Sequence, residues 1–168
     1  LALRARWQDS YAAFFAFFQA QALVVALFAL PFTVVATRVA EPPIALALAA
    51  SVIWLLSVGG EALADRQLAR FRADPGNRGR TCRLGLWAWS RHPNYFFEWL
   101  HWFTYLLLAL GSPYWWLALA GPVLMGLFLY RVSGIPWTEA QSLRSRGDDY
   151  RRYQQQVSPF FPLPPKRG

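Results

Sequence analysis

Residues 10–37 read SYAAFFAFFQAQALVVALFALPFTVVAT, with no Asp, Glu, Lys or Arg among them. A charge-free run longer than 18 residues is the signature of a membrane-spanning helix. Pro31 falls inside the run and marks a kink or a break at the lipid interface. Working outward, residues 42–60 and 99–130 are also free of charge. The chain therefore reads as a series of apolar helices separated by charged connections.

Composition points the same way. Of the 168 residues, 15% are charged, against about a quarter in an ordinary soluble domain. The length fits a single domain, residues 1–168. The net charge of +8 suits anionic lipid or an anionic cofactor. Nucleic acid is not expected, because the basic residues flank membrane-length segments. A single cysteine, Cys82, excludes an internal disulfide and any cysteine-rich metal site. The chain begins at Leu1 and carries no basic-then-apolar leader with a small-residue cleavage site. It is expected to be the C-terminal part of a longer protein.

Four spans are expected: Tyr11 to Thr37, Ile44 to Arg70, Asn94 to Leu110, and Tyr114 to Val132. Residues 1–9 are a short polar lead with Arg4 and Arg6. Gln19 and Gln21 in the first span are expected to make interhelical hydrogen bonds rather than hold a ligand. Glu61 and Asp65, four apart at the end of the second span, share one helical face. Two readings stay open for them: partners for arginines across an interface, or one wall of a cofactor cleft. Residues 71–91 are expected as a loop that mixes Arg72, Asp74-Pro75-Gly76-Asn77, Arg78-Gly79-Arg80, Arg83 and Gly85. Arginine forks and glycine backbone suit phosphates, while the charge alone also suits a loop beside anionic lipid. After Ser133-Gly134-Ile135-Pro136, two amphipathic helices (137–146 and 148–156) flank Gly147, and a proline-rich tail follows. With four spans, sixteen of the seventeen Lys and Arg residues fall on one side and Arg38 alone on the other. The positive-inside rule places both termini of this segment in the cytoplasm, in a bacterial inner membrane.

The polar chemistry gathers at Trp89-Ser90-Arg91-His92-Pro93-Asn94-Tyr95-Phe96-Phe97-Glu98. Pro93 suits a first helical turn. Asn94, Glu98, His101 and Tyr105 then follow one helical stripe. Intramembrane carboxylates are functional candidates by default. Glu98-x-x-His101 has the spacing of a di-iron half-site, but no second pair exists and the chain has only two histidines, so no metal is expected. A structural polar seam remains open, above all for His101. A cofactor-binding stripe is the preferred reading for Asn94 and Glu98. No Gly-x-Ser-x-Gly and no Gly-x-Gly-x-x-Gly occurs, which argues against a nucleophile elbow and a Rossmann site.

The run Gly85-Leu86-Trp87, Ser90-Arg91-His92-Pro93-Asn94-Tyr95-Phe96-x-Glu98 and Trp102 resembles the signature of the bacterial membrane proteins grouped with the steroid 5-alpha-reductases (DUF1295 type). Glu61-Ala-x-Ala-Asp65-x-Gln67, Asp74-Pro75-x-Asn77-Arg78-Gly79, Ser133-Gly134-Ile135-Pro136-x-x-Glu139 and Gly147-x-x-Tyr150-x-x-Tyr153 fit the same group. Sterol reductases and isoprenylcysteine carboxyl methyltransferases resemble it in fold. The resemblance implies an all-α integral membrane bundle that uses NADPH to reduce a carbon–carbon double bond of a hydrophobic enone or steroid-like lipid. It implies nicotinamide contacts at Asn94, Tyr95 and Glu98, and further cofactor contacts at Arg91, His92, Trp87, Glu61, Asp65 and Arg78. The steroid reductases carry a histidine-rich stretch after the last span, where this chain reads Trp137-Thr138-Glu139-Ala140-Gln141. Their substrate-polarising residues lie on earlier helices, so no catalytic acid is assigned. Two other readings are a methyltransferase using S-adenosylmethionine and a non-catalytic membrane scaffold.

Overall fold

The computed structural model describes residues 10–166. Arg4, Arg6 and Arg167, which enter the charge count, lie outside them. Six α-helices follow in order: α1 (Tyr11–Ala36), α2 (Ile44–Ala73), α3 (Pro93–Ala109), α4 (Ala120–Leu127), α5 (Ile135–Arg146) and α6 (Asp148–Gln156). No strand forms among the described residues; one isolated bridge joins Ser90 and Ser158. The all-α membrane bundle expected from the sequence is the architecture observed.

Ser10 caps α1 through its side chain. Pro43 precedes α2, and Pro93 opens α3 at a position where its missing N–H breaks no helix bond. Among the described residues, three helical segments are long and apolar enough to cross a membrane: Tyr11–Ala36, Ile44–Ala73 and the composite Trp115–Arg146. α3 has 17 residues, about 25 Å at 1.5 Å per residue, and lies slightly short of a full span. The segment expected as the fourth span is helical, and it joins three kinds of turn. A 3₁₀ turn (Trp115–Leu119) enters α4, and a π-helical turn (Phe128–Val132) leaves it.

Packing explains the placement of α1. Pro31 is fully buried and sits beside Gly121 of α4 and Trp102 of α3. A Cβ on Gly121 would overlap the Trp102 ring and lie 3.1 Å from Pro31, so only glycine permits this approach. Phe28 and Phe32 add ring contacts to Trp102, at 5.0 and 5.8 Å, and Phe32 lies 4.4 Å from Tyr105. Tyr11, Phe15 and Phe18 are exposed, and so are Gln19 and Gln21. The interhelical hydrogen bonds expected of these two glutamines do not form among the described residues, because their face of α1 lies open.

The connection after α2 is held by specific contacts. Gln67 accepts from the Leu86 N–H at 2.9 Å, and the Trp87 indole donates to the Ala64 carbonyl at 2.9 Å. Gly85 takes φ 56°, and a Cβ there would overlap the Gln67 amide. Packing thus accounts for this glycine. The tail is irregular, as four prolines require, but it is tied down. Arg91 N–H donates to Ser158 O at 2.8 Å, Leu163 N–H to Trp89 O at 3.0 Å, and Ser90 Oγ to Phe160 O at 2.7 Å.

Replacing Gly121 with Val forces the α1–α3–α4 contact apart. Overpacking of this kind costs about 1–3 kcal/mol. The expected outcome is a lower melting temperature in detergent for Gly121→Val. Gly59→Ala, where a Cβ meets nothing within 4 Å, should melt with the wild type.

Candidate functional site: a basic cleft at the mouth of the bundle

The end of α2, the start of α3 and helices α5 and α6 enclose two adjoining chambers of about 270 and 610 Å³. Leu68, Arg72, Thr138, Ser142 and Arg146 line both, so the two form one cleft. The larger is in the range of cofactor sites, roughly 300–1,000 Å³, and the smaller lies just below it. Of the residues expected at a cofactor site, Asp65, Trp87, Arg91, His92, Asn94 and Tyr95 line the smaller chamber, and Arg78 lines the larger. Glu61 and Glu98 line neither. They stand within electrostatic reach of each other between α2 and α3, one helical turn beyond Asn94. No arginine pairs with Glu61 or Asp65 among the described residues. Asp65 instead accepts from the Asn94 amide at 3.2 Å.

The polar stretch before α3 is built around one carboxylate. Glu139 Oε1 receives Arg91 Nε at 2.6 Å and lies 3.3 Å from His92 Nε2. Glu139 Oε2 receives Gln154 Nε2 at 2.9 Å. The Arg91 Nη1 donates to the carbonyls of Gln154 and Val157, at 2.8 and 3.1 Å. Arg91 is therefore engaged by protein, and it fastens α5, α6 and the tail onto the α3 entrance. His92 stacks on Tyr95 at 5.3 Å with planes 7° apart, which gives the smaller chamber an aromatic wall. His101 has a structural role, bonded to Tyr105 at 3.0 Å within α3.

α6 closes the back of the cleft. Tyr150, Tyr153 and Val157 share its buried face, as the period-3.6 pattern implies. The Tyr153 hydroxyl donates to Trp87 O at 2.6 Å. Burial pushes the Tyr150 phenol up to about 12, with the Glu139 charge adding to it, and burial drives Tyr153 higher still. Both are neutral hydrogen-bond donors at any physiological pH. Burial also raises the Cys82 thiol, which lines the smaller chamber.

Arg72, one of the arginines after the second span read as suited to phosphates, and Arg146, which sequence reasoning does not single out, both line the two chambers of the cleft. They come from different elements, act on each other electrostatically, and neither has a carboxylate within ion-pairing distance among the described residues. Arg146 bonds Ser142 and lies 5.0 Å over the Tyr150 ring. Arg78 and Arg80 join them around the larger chamber. Its one carboxylate, Asp74, is turned onto its own loop, where it accepts from the Gly76 N–H at 2.8 Å. Gly79, at φ 77°, opens onto the same space, and a Cβ there would meet nothing within 4 Å. Two like charges on one cavity, neither in an ion pair among the described residues, make the cleft attractive to anions. The signal present in the sequence is Arg146 one turn before Tyr150 in the Gly147-x-x-Tyr150 motif.

A helical membrane bundle with an arginine-lined cleft at one end is thus the class defined by fold and site. The chain belongs to the family described as "Protein of unknown function (DUF1295)", whose model matches residues 1–157, a steroid 5-alpha-reductase-like family. No curated protein and no solved structure matches the chain.

Two outcomes test this construction. Glu139→Ala leaves Arg91 buried without its partner, a change that costs about 3 kcal/mol; scanning calorimetry should register it as a clear drop in melting temperature, with Glu139→Gln intermediate. The second concerns pH. Burial raises the Asp149 carboxyl, but hydrogen bonding from Thr81 and the charges of Arg83 and Arg152 outweigh it and hold the group below its ordinary value. A depressed carboxylate stabilises the fold above its unfolded pKa of about 3.9 and loses that contribution as pH falls through the lower folded value. Melting temperature should fall below about pH 4, and Asp149→Asn should flatten that part of the profile.

Proposed function

We propose that this chain is the cofactor-holding part of a membrane oxidoreductase that uses NADPH to reduce a carbon–carbon double bond of a hydrophobic enone or steroid-like lipid. The observation that carries this reading is the pair Arg72 and Arg146, neither in an ion pair among the described residues, in a cleft that runs on to Asn94 and Tyr95. A dinucleotide phosphate offers several negative charges at one end and an amide at the other, and the cleft is polarised in the same sense. When bound, NADPH supplies the hydride that adds to the β-carbon of the enone.

The residues of the chain divide the task. Arg72, Arg78, Arg80 and Arg146 surround the space where phosphates would lie, and forked guanidinium donors suit them. Asn94, held by Asp65 at 3.2 Å, presents amide chemistry to the carboxamide end. Tyr95, braced by His92, supplies a flat wall. Glu98, one turn further along α3, lies toward the apolar interior where a lipid would approach. The family grouping supports a reductase. S-adenosylmethionine fits this cleft less well: it carries a sulfonium and an ammonium against one carboxylate, and four arginines would repel it. The expected localisation is a bacterial inner membrane with the cleft in the cytoplasm, where NADPH is available, in line with the positive-inside rule.

The test is thermal stability of the purified chain in detergent with each cofactor. NADPH should raise the melting temperature and S-adenosylmethionine should not. Arg146→Gln should weaken NADPH at least tenfold, the loss of one charge-assisted phosphate contact, about 1.5–3 kcal/mol. A response to S-adenosylmethionine alone would overturn the reading, and a response to neither would favour a scaffold.

A further inference from the structure

The opposite end of the bundle carries a second cavity, of about 350 Å³, between the α1–α2 turn and the α3–α4 turn. Its walls are Val34 and Val39 on one side and Pro113 and Tyr114 on the other. The length of α3, about 25 Å, separates it from the arginine cleft. It therefore has no part in the cofactor site.

Two polar groups in this apolar setting lack partners. Ser112 is 8% exposed, lines the cavity, and its Oγ is buried with no hydrogen-bond partner. A buried hydroxyl left unsatisfied is costly and calls for an explanation. The second is the free edge of Arg38. Its Nε donates to Ala40 O at 2.5 Å, and its Nη1 donates to Leu108 O and Leu110 O at 2.9 and 2.6 Å, which caps α3. Its Nη2 donates to nothing among the described residues and lies beside Gly111, where a Cβ would be 3.6 Å away. Gly111 also lines the cavity. The guanidinium is thus clamped on three carbonyls, with one edge left for a ligand.

We propose that this cavity binds the phosphate headgroup of a membrane phospholipid, with Arg38 Nη2 and Ser112 Oγ as donors to the phosphate oxygens and the apolar wall taking the start of an acyl chain. Free phosphate shares the donor chemistry, but the surroundings favour a lipid. The cavity wall is mainly apolar, and Tyr114, Trp115 and Trp116 are exposed beside it, as aromatic residues are where a bundle meets the headgroup layer. Arg38 is also the one basic residue expected on this side of the membrane, so no general positive field explains the contact.

The test is native mass spectrometry of the full chain released from detergent after exposure to phosphatidylethanolamine, to diacylglycerol, or to inorganic phosphate. The wild-type chain should retain one phospholipid, and diacylglycerol should not be retained. Ser112→Ala should lower the retained fraction at least threefold, and Arg38→Lys at least tenfold. If Arg38→Lys fails to fold, Ser112→Ala carries the test alone. Equal retention by wild type and Ser112→Ala, or equal retention of diacylglycerol, overturns the proposal. So does binding of inorganic phosphate that displaces the lipid, which would make this a free-anion site.

Discussion

The Glu139 carboxylate is the constraint on which the cleft end of this bundle depends. It receives Arg91, His92 and Gln154 at once. Arg91 in turn binds two carbonyls at the end of α6. Buried charges are tolerated only when paired and hydrogen-bonded, so this junction has one stable arrangement. It sets the position of α5, and with it Ser142 and Arg146. It also sets α6, whose tyrosines close the cleft. It acts together with the apolar cluster of Leu129, Ile135 and Phe160, which packs on Tyr95, Phe96 and Trp99 of α3.

That junction explains a division among the arginines. Arg91 and Arg83 are neutralised within the protein. Arg72 and Arg146 are not, and they face a cavity. The first pair builds the cleft and the second gives it its charge. A similar division holds at the far end, where Arg38 spends two of its three nitrogens on carbonyls of the chain. In both places the engaged donors fix geometry, and the free ones define what can bind.

The candidate site is partly legible in the sequence. Helical spacing and motif point to Asn94, Tyr95 and Asp65, and these do meet in one chamber. Trp87, Arg91 and His92 come from the same stretch, and they line that chamber while serving as braces. Glu98 shares the stripe, but a helix carries successive stripe residues about 6 Å apart along its axis, so it lies beyond the cleft beside Glu61. Arg72 is legible only as one of several arginines after the second span, and Arg146 not at all, because nothing local distinguishes an unpaired arginine from a paired one. They belong to helices far apart in the chain, and only folding brings them to one cavity.

The class of fold follows from local patterns alone. Charge-free runs long enough for a bilayer, proline and glycine at the turns, and the buried face of Tyr150, Tyr153 and Val157 are all readable along the chain, and each reappears in the structure. The irregular tail is equally local, because proline forbids regular hydrogen bonding. Packing settles the remainder. It makes the tail an ordered strap through Ser158, Phe160 and Leu163. It places the Pro31 ring against Gly121 and leaves Gln19 and Gln21 on an outer face. It also selects which cations are spent within the protein and which remain for a ligand. Propensity and periodicity act over a few residues, whereas charge pairing depends on which distant groups come within about 4 Å, and that is a property of the packed chain alone.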